Sequence, residues 1–296
     1  MFKIKLIKKK LKQIPVSIVI PTLGYDHLQT CINKINVSSF LPKEVLIIVP
    51  KDNFNKIKTY SAKYKNLKIR VLLSKKKNQI YQRILGFKRS KTKFVMQLDD
   101  DVQIEKNCLY KLYQFVKKKK NICVAPRYTD RPNVSKIYRK PTTILMKIYH
   151  WLINSDEGFS PGKISQSGFN YSEENRTKGF KEHEWLSGGI IIHYKKNLIL
   201  KNYYPYKFHR SYCEDVLHSL ILRKKGIKLL KYFEASASTE MSGSIVIKSE
   251  LIKTVKHFYS EFLIRQYIVR KFKFSKVRLI IYYLILFLRI LIKLIK

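Results

Sequence analysis

The sequence is short of acid. It holds 20 Asp and Glu against 61 Lys and Arg in 296 residues, a formal net charge of +41. That balance excludes an acidic, solvating chain and favours polyanionic partners: nucleic acid, anionic lipid or phosphorylated substrates. Lys, Ile, Asn and Tyr are abundant together. An AT-rich coding sequence produces the same bias, so charge alone does not choose among these partners. Cysteine is scarce as well. Cys31, Cys108, Cys123 and Cys213 are scattered without CxxC spacing, which argues against a disulfide framework or a cysteine-based zinc site and fits a reducing compartment. His183, His193 and His209 lack metal-ligand spacing. Residues 279–288 are ten apolar residues in a row, about half of the ~20 that a bilayer span needs. Residues 1–12 lack the unbroken apolar stretch of a secretory signal. No internal repeat is evident.

With 45% apolar and 13% aromatic residues, the chain can bury one large α/β core or two smaller ones without staples. Residues 16–21, 44–49, 67–73 and 94–98 are short apolar runs of the kind that form buried parallel strands. Helical segments are predicted over 26–38 and 78–89 between them, and over 108–120 after them. This alternation predicts a Rossmann-like, doubly wound, mostly parallel sheet. Its ligands bind beyond the carboxyl ends of the strands, which here carry Thr22, Asp52 and Asp99-Asp100-Asp101. Residues 127–184 are irregular, with a helix predicted over 143–154. Ser187-Gly188-Gly189 leads into a strand over 190–193, and that strand and another over 228–233 flank a helix over 213–225.

Three consecutive carboxylates after a buried strand repel one another unless something neutralises them. A hard divalent cation, Mg²⁺ or Mn²⁺, does so through carboxylate oxygens, and a metal held this way binds and stabilises a departing diphosphate. A solvated acidic turn capping the next helix is the structural alternative. Strand alternation points neighbouring side chains apart, so the three aspartates need not share one role.

Val16-Ser17-Ile18-Val19-Ile20-Pro21-Thr22, Gln82-Arg83-Ile84-Leu85-Gly86, Gln97-Leu98-Asp99-Asp100-Asp101, and Glu214-Asp215 ahead of Arg223-Lys224-Lys225-Gly226 together resemble the family 2 inverting glycosyltransferases of GT-A fold, from about residue 16 to 230. The resemblance implies that Thr22, Asp52, Arg83, Asp99 and Asp100 lie against a nucleotide-sugar. It implies that Asp101, with Asp99, binds the metal and that Asp215, with Glu214 as rival, is the general base. Three positions depart from the family pattern. Pro50-Lys51 precede Asp52, Ile84 follows the helix arginine, and residues 234–240 hold no histidine, which leaves Glu240 as the candidate third ligand.

An inverting transfer needs a carboxylate to take the acceptor's proton; acids at a helix start also serve as caps and dipole partners. Gly188 and Gly189 allow close backbone approach to donor or acceptor sugar, or form a plain turn. Trp185 offers a face for a sugar ring, with a core position as the alternative, and Trp151 does so less.

The predicted organisation is a basic N-terminal segment (1–14), a GT-A domain (15–245; nucleotide half 15–125, acceptor half 126–245) and a C-terminal amphipathic helical extension (246–296). On one continuous helix, Lys271, Arg278, Arg289, Lys293 and Lys296 fall within roughly 60° of one another. That stripe suits an anionic membrane surface; a tilted span or packing on the domain also fits. The predicted partners are a nucleotide-sugar, UDP-linked by family precedent, a saccharide or polyprenyl-phosphate-linked acceptor, and the cytoplasmic face of an anionic membrane. Nucleic acid is not among them: no helix-turn-helix, RRM or zinc signature is present. The alternatives are a metal-dependent nucleotidyltransferase and a basic nucleic-acid-binding protein.

Overall fold

Val16, Ile18 and Ile20 of the first strand, β1 (Gln13–Pro21), pack into one apolar cluster while Val19 packs into another. The next strand, β2 (Leu41–Pro50), does the same, with Val45, Ile47 and Val49 on one face and Leu46 and Ile48 on the other. Both faces of the sheet are covered, which is why these strands read as unbroken apolar runs rather than alternating ones. The arrangement comes from a computed structural model. It describes residues 12–24, 26–130, 142–155, 161–173, 176–208, 211–239 and 251–295. Residues 1–11, His209, Glu240 and Lys296 lie outside them.

The remaining elements follow in chain order. After β1 comes α1 (His27–Asn36), and after β2 come a short 3₁₀ turn (Lys51–Asn53), α2 (Phe54–Ser61), β3 (Ile69–Ser74), α3 (Gln79–Arg89) and β4 (Phe94–Leu98). The middle of the chain forms β5 (Val102–Ile104), α4 (Cys108–Lys117), β6 (Ile122–Tyr128), α5 (Ile144–Asn154), β7 (Phe180–His183) and β8 (Ile190–Tyr194). The chain then builds α6 (Glu214–Lys224), β9 (Lys228–Thr239), α7 (Leu251–Lys271) and α8 (Lys276–Ile295).

Among the described residues the sheet has nine strands in the order β3-β2-β1-β4-β8-β6-β9-β5, with β7 against β9. β3, β2, β1 and β4 are parallel; β8 enters antiparallel to β4, and β6 and β9 run parallel again. The doubly wound, mostly parallel arrangement expected from the alternation is therefore present. The antiparallel entry of β8, with Ile190 opposite Leu98, lays the Ser187-Gly188-Gly189 segment beside the end of β4. β6 was not expected. It runs through position 125, so the sheet is continuous across the anticipated division into halves.

Helix α3 lies unusually close to the sheet. A Cβ on Gly86 would sit 2.4 Å from Val19 Cγ1 and 2.7 Å from Ile48 Cδ1, so glycine is what permits the approach. Asn78 caps the helix, its Oδ1 accepting from Tyr81 N–H at 2.9 Å. One turn before Gly86, Gln82 and Arg83 are thereby carried to the carboxyl ends of β1 and β4.

The C-terminal extension is helical, but not one helix. Residues 272–275 interrupt it, with Lys273 at φ 59°, so Lys271 and Arg278 do not share a continuous stripe and the anticipated alignment is corrected. Ile264 and Ile268 of α7 join the apolar cluster of α6, and Val269, Leu279 and Tyr283 form a further one. Arg265 is buried. It grips Glu261 through two N–H groups at 2.9 and 2.7 Å and donates to Gly168 O at 2.8 Å. The extension thus packs on the domain through one side. Among the described residues no helix is long and apolar enough to cross a membrane.

Candidate active site

Four segments meet at the carboxyl ends of β1, β2 and β4. They are Thr22 after β1, Gln82 and Arg83 of α3, the Asp99-Asp100-Asp101 turn after β4, and the Gly188-Gly189 entry to β8; the start of α6 closes the group. Gln82 Nε2 donates to Thr22 O and Ile48 O, both at 2.8 Å, which ties the ends of β1 and β2 to α3. Gln97 Nε2 donates to Gly188 O at 2.7 Å, and Asp99 N–H to Gly189 O at 2.8 Å. A Cβ on Gly188 would lie 3.3 Å from Glu214 Oε2, and one on Gly189 2.7 Å from the Tyr128 hydroxyl. The Gly-Gly segment is therefore a close-approach strip between the aspartate turn and α6.

Arg83 joins the two acidic groups that the sequence separates by more than a hundred residues. Its Nη2 donates to Asp99 Oδ1 at 2.6 Å, and its Nη1 to Glu214 Oε2 at 2.8 Å. Its side chain is only 4% exposed. Burial opposes its charge, and Asp99 and Glu214 more than offset that, raising its pKa. Arg83, expected beside the nucleotide, forms an enclosed strut here, its Nη1 and Nη2 turned to Glu214, Asp99 and Gly188 O.

The three aspartates have different partners, and since β4 ends at Leu98 it is the turn after the strand, not strand alternation, that separates them. Asp99 Oδ1 accepts from Arg83 and, at 3.1 Å, from Gln79 Nε2. Burial pushes its carboxyl up to about 7 against the pull of Arg83, with Asp101 and Asp100 adding to the rise. Asp100 accepts from the Thr22 hydroxyl; burial raises its pKa too. Asp101 is half-buried and has no hydrogen bond or ion pair to a described residue. Asp52 sits farther out on the 3₁₀ turn, 61% exposed, in an ion pair with Lys77 at 2.5 Å that lowers its pKa.

The donor set suits a hard cation only in part. Among the described residues no three His, Cys, Asp or Glu side chains are gathered to hold one, and Glu240 lies outside them. Mg²⁺ and Mn²⁺ sites commonly use one or two carboxylates and complete the shell with water and substrate phosphates. Asp101 and Asp99 could hold such an ion in that manner.

Glu214 and Asp215 open α6, directly after Cys213 in a left-handed conformation (φ 50°). For a non-glycine residue this is a strained position of the kind found at functional turns. The two acids then part company. Glu214 accepts from Arg83 on one oxygen and from the Tyr203 hydroxyl on the other. Burial works to raise its pKa, but Arg83, His218 and Tyr203 outweigh it and hold it low. Asp215 is pushed up to about 6 by burial and then by Glu214. Its Oδ1 accepts from Val216 N–H at 2.8 Å. Two neighbouring carboxyls with divergent pKa values are the signature of divided labour.

Trp185 is a core residue here. It is 6% exposed, packs in the cluster of α6 and α7, and donates its indole N–H to Tyr171 O at 2.6 Å. A sugar would stack on it only after that cluster opened. The structure adds a buried ion pair absent from the sequence reading, Lys231–Glu173 at 2.5 Å, whose Glu173 also accepts from Ser187 N–H at 2.8 Å. A lone lysine inside the apolar run Leu229-Leu230-Lys231-Tyr232-Phe233 was the available signal, since a charge there requires a partner. Gln97 and Tyr203 were also missed.

Residues 17–191 match the family described as Glycosyl transferase family 2. The fold is similar to that of GalNAc-T7 in its crystal structure with UDP, GalNAc and Mn²⁺, with a TM-score of 0.53 and 14% identity over 78% of this chain and 44% of that one. S. aureus TarS 1–349 gives a TM-score of 0.49 and 12% identity, over 76% of this chain and 60% of that one. This chain therefore spans less than half of the GalNAc-T7 chain. No curated protein matches the sequence. At such identities the likeness to solved structures is one of fold.

Proposed function

The chain belongs to glycosyl transferase family 2 and is a glycosyltransferase of GT-A fold, and from that premise we propose that it moves a sugar from a UDP-sugar to an acceptor hydroxyl with inversion, Asp215 acting as base. The observation that carries this reading is the split of the Glu214-Asp215 pair. Glu214 is consumed by Arg83 and Tyr203, while Asp215, raised to about 6, lies with its Cβ against the Gly188 strip and, among the described residues, accepts only from the N–H of its neighbour Val216. A carboxylate of that pKa is ionised at neutral pH yet basic enough to accept a proton.

Thr22, Asp52, Asp99 and Asp100 bind the nucleotide-sugar, with the Lys77–Asp52 pair opening at the entrance. Arg83 acts as a positioning residue, holding Asp99 and Glu214 in fixed relation. Gly188 and Gly189 let the sugar approach the backbone. A divalent cation at Asp101 and Asp99, Mn²⁺ or Mg²⁺, would neutralise the departing diphosphate; GalNAc-T7, similar in fold, was crystallised with UDP and Mn²⁺. The acceptor hydroxyl then loses its proton to Asp215 Oδ2 as it attacks the anomeric carbon from the face opposite the nucleotide. No covalent enzyme intermediate forms.

The acceptor is a saccharide, free or carried on polyprenyl phosphate, in cell-surface polysaccharide synthesis. The enzyme works at the cytoplasmic face of an anionic membrane, a surface to which a chain of charge +41 is attracted. A donor screen is the test. Nucleotide release measured with UDP-, GDP- and dTDP-sugars, with Mn²⁺ and with chelator, should show metal-dependent release from a UDP-sugar. Release of pyrophosphate from a nucleoside triphosphate and a sugar phosphate would instead identify a nucleotidyltransferase.

A further inference from the structure

Helix α5 is built inside out. The residues it buries against the domain are His150, Ile153 and Asn154, while Ile144, Leu145, Ile148 and Trp151 face outward, Leu145 at 79% exposure. A helix in a soluble protein presents the reverse pattern. Helix α8 repeats the anomaly. Leu279 and Tyr283 are buried, but Val277, Ile280, Leu284, Phe287 and Leu288 are exposed, and these five fall within about 100° of one another around the helix. The two helices pack together although some 120 residues separate them in sequence. Arg278 of α8 locks them, donating to Trp151 O and to Leu152 O and lying 5.0 Å from the Trp151 ring.

We propose that α5 and α8 form one composite docking surface for an anionic lipid bilayer, with Trp151 and its neighbours entering the headgroup–acyl boundary. This deepens the membrane reading above by placing the contact on two helices rather than on a C-terminal stripe. Charge selects the occupant. Neither helix contains an Asp or Glu, and Lys147 and Lys276 are exposed beside the apolar residues. A second copy would bring the same positive rim against itself, whereas anionic headgroups neutralise it. The contact so made is one at the membrane surface. Lying flat through α5 and α8 fixes how the domain, and with it the strip at Gly188-Gly189, is presented to a lipid-carried acceptor.

The test uses the full chain and its two tryptophans. Trp151 is 53% exposed and Trp185 is 6% exposed. With phosphatidylglycerol vesicles containing brominated acyl chains, emission should shift to the blue and be quenched; with phosphatidylcholine alone it should do neither. Trp151→Phe should abolish the quenching. Leu145→Glu and Leu284→Glu should each weaken vesicle binding about tenfold or more, with the melting temperature and the solution rate of nucleotide release unchanged. The proposal is overturned by equal binding to neutral vesicles, by quenching that survives Trp151→Phe, or by unaffected binding in both glutamate variants. It is also overturned if sedimentation shows a dimer that Leu145→Glu dissociates. Nucleotide release is read separately, so loss of the membrane contact does not imply loss of the transferase.

Discussion

Replacing Asp215 by asparagine should cut the transfer rate by about 10²–10⁴-fold, the range that a positioned general base supplies, and leave UDP affinity unchanged. The amide keeps the size of the side chain and can still accept from Val216 N–H, but it takes no proton. Wild-type kcat/KM should have an acid limb near pH 6. The sign follows from Asp215 needing to be ionised: with its carboxyl raised to about 6, activity is full above that value and lost as pH falls through it. Asp99, raised to about 7, titrates nearby, so the decisive comparison is with the variant. The residual activity of Asp215→Asn should lack the limb near pH 6. Glu214→Gln should behave differently, because it loosens Arg83 and Tyr203, and should show its effect in stability and donor binding as well as in rate. Equal catalytic losses in both variants, each with donor binding intact, would contradict the division of roles.

The second large effect is structural. Arg83→Met should destabilise the protein by about 3–5 kcal/mol, the cost of leaving buried partners of an ion pair uncompensated. For a chain of this size that corresponds to a fall in melting temperature on the order of ten degrees. Asp99 and Glu214 both lose their counter-charge, and Glu214 is almost completely enclosed. Protonating them relieves the strain, so the deficit against wild type should shrink as pH falls from 7 towards 4. Arg83→Lys should recover only part of the loss, since an ammonium group does not fork between two carboxylates as a guanidinium does. Thermal unfolding of the three proteins across pH decides this; a Met variant within 1 kcal/mol of wild type would show that the strut carries no structural weight.

Much of this site was legible because its parts are local. The runs ending at Pro21, Pro50 and Leu98 are apolar on both faces and declare buried strands, and their ends carry the polar residues. Asp99-Asp100-Asp101 stands out in a chain with only 20 acids. What escaped was non-local. A short apolar run carries no sign of direction, so the antiparallel entry of β8 beside β4, which sets Gly189 against Asp99, was invisible. Arg83 matched a residue beside the nucleotide by motif, but its fork between Asp99 and Glu214 joins segments far apart in sequence and is visible only in the fold. Only the family resemblance ranked Asp215 above Glu214, since as sequence neighbours at a helix start they look alike; the contacts of Glu214 with Arg83 and Tyr203 set the two apart in the structure. The break between α7 and α8 has no glycine or proline to announce it, because a lysine occupies the left-handed position. The inverted polarity of α5 is likewise unreadable from composition, since an apolar helix is expected to bury its apolar side.

The central claim is that the turn at Asp99-Asp100-Asp101 receives a nucleoside diphosphate through a divalent cation. Thermal unfolding with UDP and Mn²⁺, separately and together, on wild type and Asp101→Ala tests it most directly. A tight ligand present at 100 times its Kd stabilises by about 2.7 kcal/mol, so a rise of several degrees is expected with UDP plus Mn²⁺, little with UDP alone, and none in Asp101→Ala. No rise with any nucleoside diphosphate, or an equal rise in the Asp101→Ala variant, would contradict the claim.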